Sequence, residues 1–189
     1  AKTGDVYYQA AALAPTDRQV YVNHKNGKTE RLTDAEGWNS ALFSGDYQYF
    51  INTWSDYNTP YVYTTRTRAG KVISTLQDNS QLRQTIKEYG FCKREAFSFT
   101  TSEGVTLNGW MLRPLDFDAS KRYPVIMHQY SGPGSQQVKN AWSAGSMGQG
   151  GAYDSYLAQQ GFIVVSVDGR GTGGRGAEFE KCTYLNLGD

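Results

Sequence analysis

Cysteine and histidine are scarce in this sequence of 189 residues, which contains two of each. Cys92 and Cys182 lie far apart and neither is part of a CxxC pair, so the sequence indicates no disulfide framework, and we expect two free, buried thiols. His24 and His128 are also well separated, and no cysteine or carboxylate cluster accompanies them. The pattern therefore predicts neither a metal site nor a bound cofactor.

Long apolar runs and an excess of one charge are missing as well. The longest apolar run, residues 162–167, is far too short to cross a bilayer, so no membrane span is predicted in this segment. Lys and Arg number 19 against 18 Asp and Glu, which leaves a formal net charge of +1. No basic face collects in the sequence, so nucleic acid binding has little support. The aromatic content of 14% and the charged content of 20% suit a globular protein.

The first part of the chain repeats a pattern of short strands. Residues 4–8 read GDVYY, and residues 45–49, about forty positions later, read GDYQY. Each unit reads strand, loop, strand, tight glycine turn, strand, and a further strand at residues 38–43 precedes the second unit only. Short antiparallel strands with this period are typical of β-propeller blades. We therefore assign residues 1–78 to the C-terminal blades of a β-propeller, and the chain to an internal piece of a longer protein.

The glycine turns of the two units carry a prediction of their own. Asn26-Gly27 is the strongest short-range signal for a β-hairpin, because both central residues of a type I′ turn need a positive φ. The corresponding turn of the second unit is Ala69-Gly70.

The pattern changes after residue 78. Leu82, Ile86 and Tyr89 follow helical spacing, Asn79 or Ser80 is a candidate N-terminal cap, and Gly90 can end the helix. We predict a helix over residues 80–88 within a linking segment, residues 79–93.

Residues 94–189 return to strands with a different spacing. Residues 95–101 and 105–112 predict a hairpin. Residues 123–130 and 162–168 predict strands that are buried on both faces, with a helix around Tyr153, Leu157 and Ala158 between them. An antiparallel hairpin that leads into a parallel βαβ unit is how the mostly parallel sheet of an α/β-hydrolase begins.

Tyr130 is the strongest candidate for a functional residue, because it ends the strand of residues 123–130. Ligands meet the carboxyl ends of strands in open parallel sheets, and the loop after the third strand of an α/β-hydrolase supplies part of the oxyanion hole. A phenol there could stabilise the oxyanion of a tetrahedral intermediate. The alternative is that Tyr130 only packs at a strand end.

Two stretches follow in a characteristic order, YSGPGSQ at residues 130–136 and VDGRGTG at residues 167–173. With the propeller strands and the linking helix before them, they resemble the dipeptidyl peptidase IV branch of the prolyl oligopeptidase family of serine peptidases, over essentially the whole chain. The resemblance implies a β-propeller followed by an α/β-hydrolase domain, and release of dipeptides from peptide N-termini with proline or alanine preferred at the second position. It also implies that Tyr130 donates its hydroxyl to the oxyanion, that the full-length protein forms a homodimer, and a periplasmic or cell-surface location.

Two other motifs have the form of functional sites. One is the spacing Gly169-x-Gly171-x-x-Gly174, which follows a strand as a dinucleotide-binding fingerprint does. No second strand ending in an acidic residue follows it, as binding of the ribose would require. We therefore interpret it as a tight loop in which Asp168 and Arg170 give structural support. Residues 144–148 (AGSMG) imitate a nucleophile elbow around Ser146, but no core strand precedes them.

No other Gly-x-Ser-x-Gly pattern occurs in the sequence, and neither histidine follows a nucleophile as the hydrolase order of Ser, Asp and His requires. We expect His24 to be solvated and His128 to be a hydrogen-bonded structural residue. The triad is therefore expected beyond this chain, which alone should be inactive. Other readings stay open: an oligopeptidase or acylaminoacyl peptidase of the same fold, or a non-catalytic binding protein.

Overall fold

The computed structural model describes residues 3–142 and 151–185. The chain divides into two compact units: Ala1–Gln84 with Asn140–Trp142 form unit 1, and Thr85–Lys139 with Ser143–Asp189 form unit 2. Within the described residues, no helix combines the length and apolar character needed to cross a membrane. Each unit is built around its own β-sheets.

Unit 1 consists of two antiparallel sheets, one of three strands and one of four, each with its strands in chain order. The strand counts confirm the repeat prediction, including the additional first strand of the second sheet. The strands of the first sheet are β1 (Val6–Ala10), β2 (Gln19–Asn23) and β3 (Thr29–Arg31). Those of the second sheet are β4 (Trp38–Phe43), β5 (Tyr49–Ser55), β6 (Val62–Thr67) and β7 (Val72–Gln77).

The repeat extends to side-chain hydrogen bonds before equivalent strands. Thr3 donates its hydroxyl to Asp5 Oδ2 at 2.8 Å, just before β1. Ser44 donates its hydroxyl to Asp46 Oδ1 at 2.7 Å, just before β5. A hydroxyl followed two residues later by a carboxylate thus makes the same side-chain hydrogen bond in both units, although the backbones differ: the positive φ lies at Gly4 (84°) in the first unit and at Tyr47 (58°) in the second.

The glycine turns differ in type from the prediction. Gly27 has a φ of 86° and donates its N–H to His24 O at 2.8 Å, and Gly70, with a φ of 88°, makes the same bond to Thr67 O at 2.8 Å. Asn26 does not have a positive φ. The type I′ assignment is therefore wrong. Both hairpins have a three-residue loop in which an ordinary turn is followed by one left-handed glycine.

The core of unit 1 combines an apolar cluster with a buried polar network. The apolar cluster is formed by Val20, Val22, Leu32 and Phe50. Beside it, Gln19 Oε1 accepts hydrogen bonds from Thr33 Oγ1 at 2.9 Å and from Asn39 Nδ2 at 3.1 Å, and Asn52 Nδ2 donates to Asn39 Oδ1 at 3.0 Å. Because their partners are fixed, these buried amides specify which strands lie side by side.

The predicted helix is present as α1 (Ser80–Glu88), and Gly90 follows it with a φ of 62°. Its cap differs from the prediction. Asp78 Oδ1 accepts the N–H of Ser80 at 3.0 Å, while the side chain of Asn79 donates to Tyr61 O at 2.6 Å. Asp78 therefore satisfies the first helical amide, and the sequence alone could not separate it from two neighbouring cap formers.

Unit 2 contains a four-stranded sheet in the order β10-β11-β9-β8. The hairpin is antiparallel, β9 pairs antiparallel with β11, and β10 pairs parallel with β11. This arrangement confirms the predicted hairpin and parallel βαβ unit. The elements are β8 (Arg94–Thr100), β9 (Thr106–Leu112), β10 (Val125–His128), α2 (Ala152–Gln159), β11 (Ile163–Asp168) and α3 (Ala177–Lys181).

Two expectations for unit 2 are corrected. Strand β10 is shorter than the predicted residues 123–130. It is also not buried on both faces, because it is one of the two outer strands of the described sheet, and the side chains of Val125 and Met127 are exposed. Helix α2 buries Asp154, Ser155 and Ala158, while Tyr153 is exposed. The core-facing side of this helix is therefore partly polar, which apolar spacing could not indicate.

Candidate functional site

The loops that follow β10 and β11 lie edge to edge at the carboxyl ends of these two parallel strands. Gly134 donates its N–H to Gly171 O at 2.9 Å, and Gly173 donates to Ser135 O at 2.7 Å. A β-carbon on Gly173 would come within 3.0 Å of Gly134 O, so the glycines permit the close approach of the two backbones. The two loops form one hydrogen-bonded layer at the edge where parallel sheets meet ligands.

Tyr130 lies at this edge, two residues after the end of β10. Its side chain is 72% exposed, and the following residue, Ser131, has a φ of 49°, which turns the chain away immediately after the tyrosine. The ring lies over Gly132, where a β-carbon would approach Cε1 within 2.5 Å. We expected Tyr130 to end the strand, but it lies beyond the strand. Its phenol is open to solvent.

Tyr130 shares a cavity of about 390 Å³ with three polar side chains: His128, Gln129 and Gln137. Gln129 Nε2 donates to Ser131 Oγ at 2.7 Å, which orients the amide beside the tyrosine. The side chains around this cavity are a phenol, two amides and an imidazole, with no carboxylate among them. The phenol of Tyr130 can donate a hydrogen bond to a developing negative charge there, because no carboxylate lines the cavity.

Asp168, the last residue of β11, holds the far side of the same loop. Its carboxylate is buried and accepts the N–H of Val138 at 2.8 Å and that of Gln137 at 2.9 and 3.1 Å. Burial raises the pKa of Asp168, while these N–H groups and the charge of Lys139 act in the opposite direction. The carboxylate therefore fixes the backbone next to Gln137, which is the structural support expected of it.

His128, at the end of β10, has a buried acidic partner. His128 Nε2 lies 3.2 Å from Asp154 Oδ1, and Arg94 Nη2 lies 2.9 Å from Asp154 Oδ2. His128 thus lies against a buried acid, and its expected role as a hydrogen-bonded structural residue stays a prediction. Sequence reasoning did not identify Arg94 or Asp154, and no local pattern could have found them, because they are far apart in the chain.

His24 is less solvated than expected. Its side chain is 28% exposed and lies between two carboxylates, 3.4 Å from Asp5 and 3.5 Å from Glu30. Among the residues that the structure describes, no group of three or more His, Cys, Asp or Glu side chains is arranged so that it could hold a metal ion.

The remaining candidate residues show mixed outcomes. Arg170 lies 3.4 Å from Glu103 at the surface, and Thr172 donates its hydroxyl to Gly169 O at 2.7 Å, so the glycine-rich stretch forms a tight loop as expected. Both cysteines are free, but only Cys92 is buried, while Cys182 is half-buried. The elbow-like segment around Ser146 lies outside the described residues.

Two family models match the chain, one in each unit. Residues 1–61 match the dipeptidyl peptidase IV (DPP IV) N-terminal region, and residues 152–189 match the prolyl oligopeptidase family.

Similar proteins extend the likeness to nearly the whole chain. A probable dipeptidyl peptidase 4 of Aspergillus flavus is 32% identical over 97% of this chain and 24% of its own length. A probable dipeptidyl-aminopeptidase B of Aspergillus clavatus is 33% identical over 98% of this chain and 20% of its own length. The crystal structure of Porphyromonas gingivalis dipeptidyl peptidase 4 superimposes with a TM-score of 0.90 at 44% identity, over 98% of this chain and 26% of that one. The chain thus spans about a quarter or less of the length of these relatives.

Proposed function

Because this chain belongs to the dipeptidyl peptidase IV branch of the prolyl oligopeptidase family, we propose that it forms part of a serine exopeptidase that releases dipeptides from the N-termini of peptides. The reaction is acyl transfer: a serine gives its proton to the base and attacks the carbonyl carbon of the scissile bond, and a tetrahedral oxyanion forms. Collapse of that intermediate breaks the C–N bond and expels the amine of the shortened peptide, which takes up the proton. Water then hydrolyses the remaining ester, which frees the dipeptide and restores the serine.

Tyr130 is the oxyanion donor in this proposal. The observation that carries the role is the position of its phenol, which is exposed in the cavity at the carboxyl ends of β10 and β11. A neutral O–H there can donate to the oxygen that becomes negative in the transition state. The two amides in the same cavity, Gln129 and Gln137, keep the surroundings polar without adding an opposing charge.

The proposal divides the work between this chain and the rest of the protein. Residues 1–78 form propeller blades, residues 79–93 link, and residues 94–189 form the first half of the hydrolase domain. The nucleophile, the acid and the base come from other segments, since the sequence offers no elbow serine preceded by a core strand and no histidine in the required order. By the same resemblance, proline or alanine is preferred at the second position of the substrate.

Peptide hydrolysis by the full-length protein tests the proposal. We expect release of a dipeptide from peptides with a free N-terminus and proline or alanine in second place, and no hydrolysis of the same peptides after N-acetylation. Hydrolysis of the acetylated peptides would favour an acylaminoacyl peptidase, and cleavage at internal prolines would favour an oligopeptidase. Failure to cleave any of these peptides would contradict a peptidase function.

A further inference from the structure

The carboxylate of Asp154 joins three elements of unit 2. Arg94 is the first residue of β8, His128 is the last residue of β10, and Asp154 lies in the first turn of α2. One oxygen of Asp154 lies 2.9 Å from Arg94 Nη2, and the other lies 3.2 Å from His128 Nε2. Since β8 and β10 are the two outer strands of the described sheet, a single side chain on α2 connects its opposite edges.

This cluster is enclosed by its neighbours. The side chains of Arg94 and Asp154 are only 5% and 3% exposed. The guanidinium of Arg94 lies over the ring of Trp110, 4.3 Å from its centroid. Gly151, at the start of α2, leaves room for Arg94, because a β-carbon there would come within 3.1 Å of Nη2. Arg94 and Asp154 hold each other in place, because removing one partner would leave the other charge buried and uncompensated, and the imidazole of His128 lies against this fixed pair.

The same contact fixes the chain next to Tyr130. His128 ends β10, and Tyr130 follows two residues later. The residues on either side of Tyr130 are joined by a hydrogen bond from the side chain of Gln129 to that of Ser131. On the far side of the loop, Asp168 holds the N–H groups of Gln137 and Val138. The tyrosine therefore lies between two anchored points of the backbone, one of which depends on the contact between His128 and Asp154.

We propose that His128 is a positioning residue for Tyr130: its contact with the Asp154–Arg94 pair fixes the end of β10, and thereby places the phenol where the oxyanion forms. The inference rests on the proposed function of Tyr130 and adds the buried pair as the support of that function. A donor misplaced by about an ångström loses much of its effect on the transition state.

A double-mutant cycle on the full-length protein tests this role, with kcat and KM for a dipeptidyl substrate as readouts. We expect His128→Leu to lower kcat by between about tenfold and about a hundredfold with little change in KM. In a Tyr130→Phe background the same substitution should lower kcat by less than about twofold, because the donor that it misplaces is already gone. His128→Gln, which offers an amide N–H near the position of Nε2, should recover most of the activity.

His24→Leu is the matched control, since His24 also contacts two carboxylates but lies in unit 1. We expect this variant to keep its kcat. If His128→Leu does not fold, His128→Asn enters the same cycle, and loss of folding in both variants would make His128 a general structural residue and overturn the proposal. Equal losses of kcat in the two Tyr130 backgrounds would also overturn it. A normal kcat in Tyr130→Phe itself would instead remove the proposed function of Tyr130, and the positioning role with it.

Discussion

The ring of Tyr130 lies against the α-carbon of Gly132, so close that a β-carbon at residue 132 would come within 2.5 Å of the ring and 3.2 Å of the phenol oxygen. Gly132 does not have a positive φ, so its backbone suits any residue. The glycine is therefore needed for the space that the tyrosine ring occupies, and the direction of the phenol depends on it.

Gly132→Ala should consequently redirect the phenol without unfolding the protein. The exposed ring can swing away from the added methyl group, so we expect little change in melting temperature but a loss of kcat of about tenfold or more. Gly45→Ala is the matched control, because Gly45 also has an ordinary φ and a β-carbon there meets no atom within 4 Å. An unchanged kcat in Gly132→Ala would show that the position of the ring does not matter for the reaction.

Asp168→Asn should loosen the loop that follows β10. Asparagine keeps one acceptor oxygen but places an NH₂ group where the other carboxylate oxygen now accepts a backbone N–H, that of Gln137 or of Val138. We expect local opening to become easier by about 1–3 kcal/mol, measured as faster hydrogen exchange of these two amides. Asp118→Asn, at an exposed carboxylate that accepts the N–H of Ser120, should leave their exchange unchanged.

The two glycine turns of unit 1 provide a matched pair. Gly27 and Gly70 have nearly the same φ, but a β-carbon at Gly27 meets open space, while one at Gly70 would overlap the carbonyl group of Leu32. Gly27→Ala should cost about 1–2 kcal/mol of stability from backbone strain alone. Gly70→Ala should lower the free energy of unfolding clearly more, as measured by urea denaturation. Equal losses in the two variants would show that Leu32 moves aside freely.

The 189-residue chain alone should not hydrolyse a chromogenic dipeptidyl substrate. It has no elbow serine preceded by a core strand, and the only similar pattern surrounds Ser146. The measurement compares the chain with its Ser146→Ala variant. Turnover that disappears in the variant would identify Ser146 as a nucleophile and contradict the assignment.

Local patterns predicted much of the fold. The repeated strands, the helix over Ser80–Glu88 and the hairpin of unit 2 depend on periodicity and on glycine punctuation, which neighbouring residues determine. The turn type was wrong, because Asn26-Gly27 fits both a two-residue and a three-residue loop.

The candidate site was predictable only in part. Tyr130 lies just beyond the carboxyl end of one apolar strand and Asp168 is the last residue of another, and a sequence pattern can indicate both positions. Arg94 and Asp154 are charged residues whose burial depends on each other across sixty positions of the chain, so neither could be identified as buried by its own surroundings. The exposure of β10 likewise depends on its place in the sheet and not on its apolar residues.

The most direct test of the central claim is the steady-state kinetics of Tyr130→Phe in the full-length protein, with a thermal melt alongside. Phenylalanine keeps the ring and removes only the hydroxyl, so the fold should be retained. If the hydroxyl meets the oxyanion as charge develops, kcat should fall by roughly 10²- to 10³-fold with KM little changed. A variant that melts normally and retains a near-native kcat would contradict the assignment of Tyr130 as the oxyanion donor.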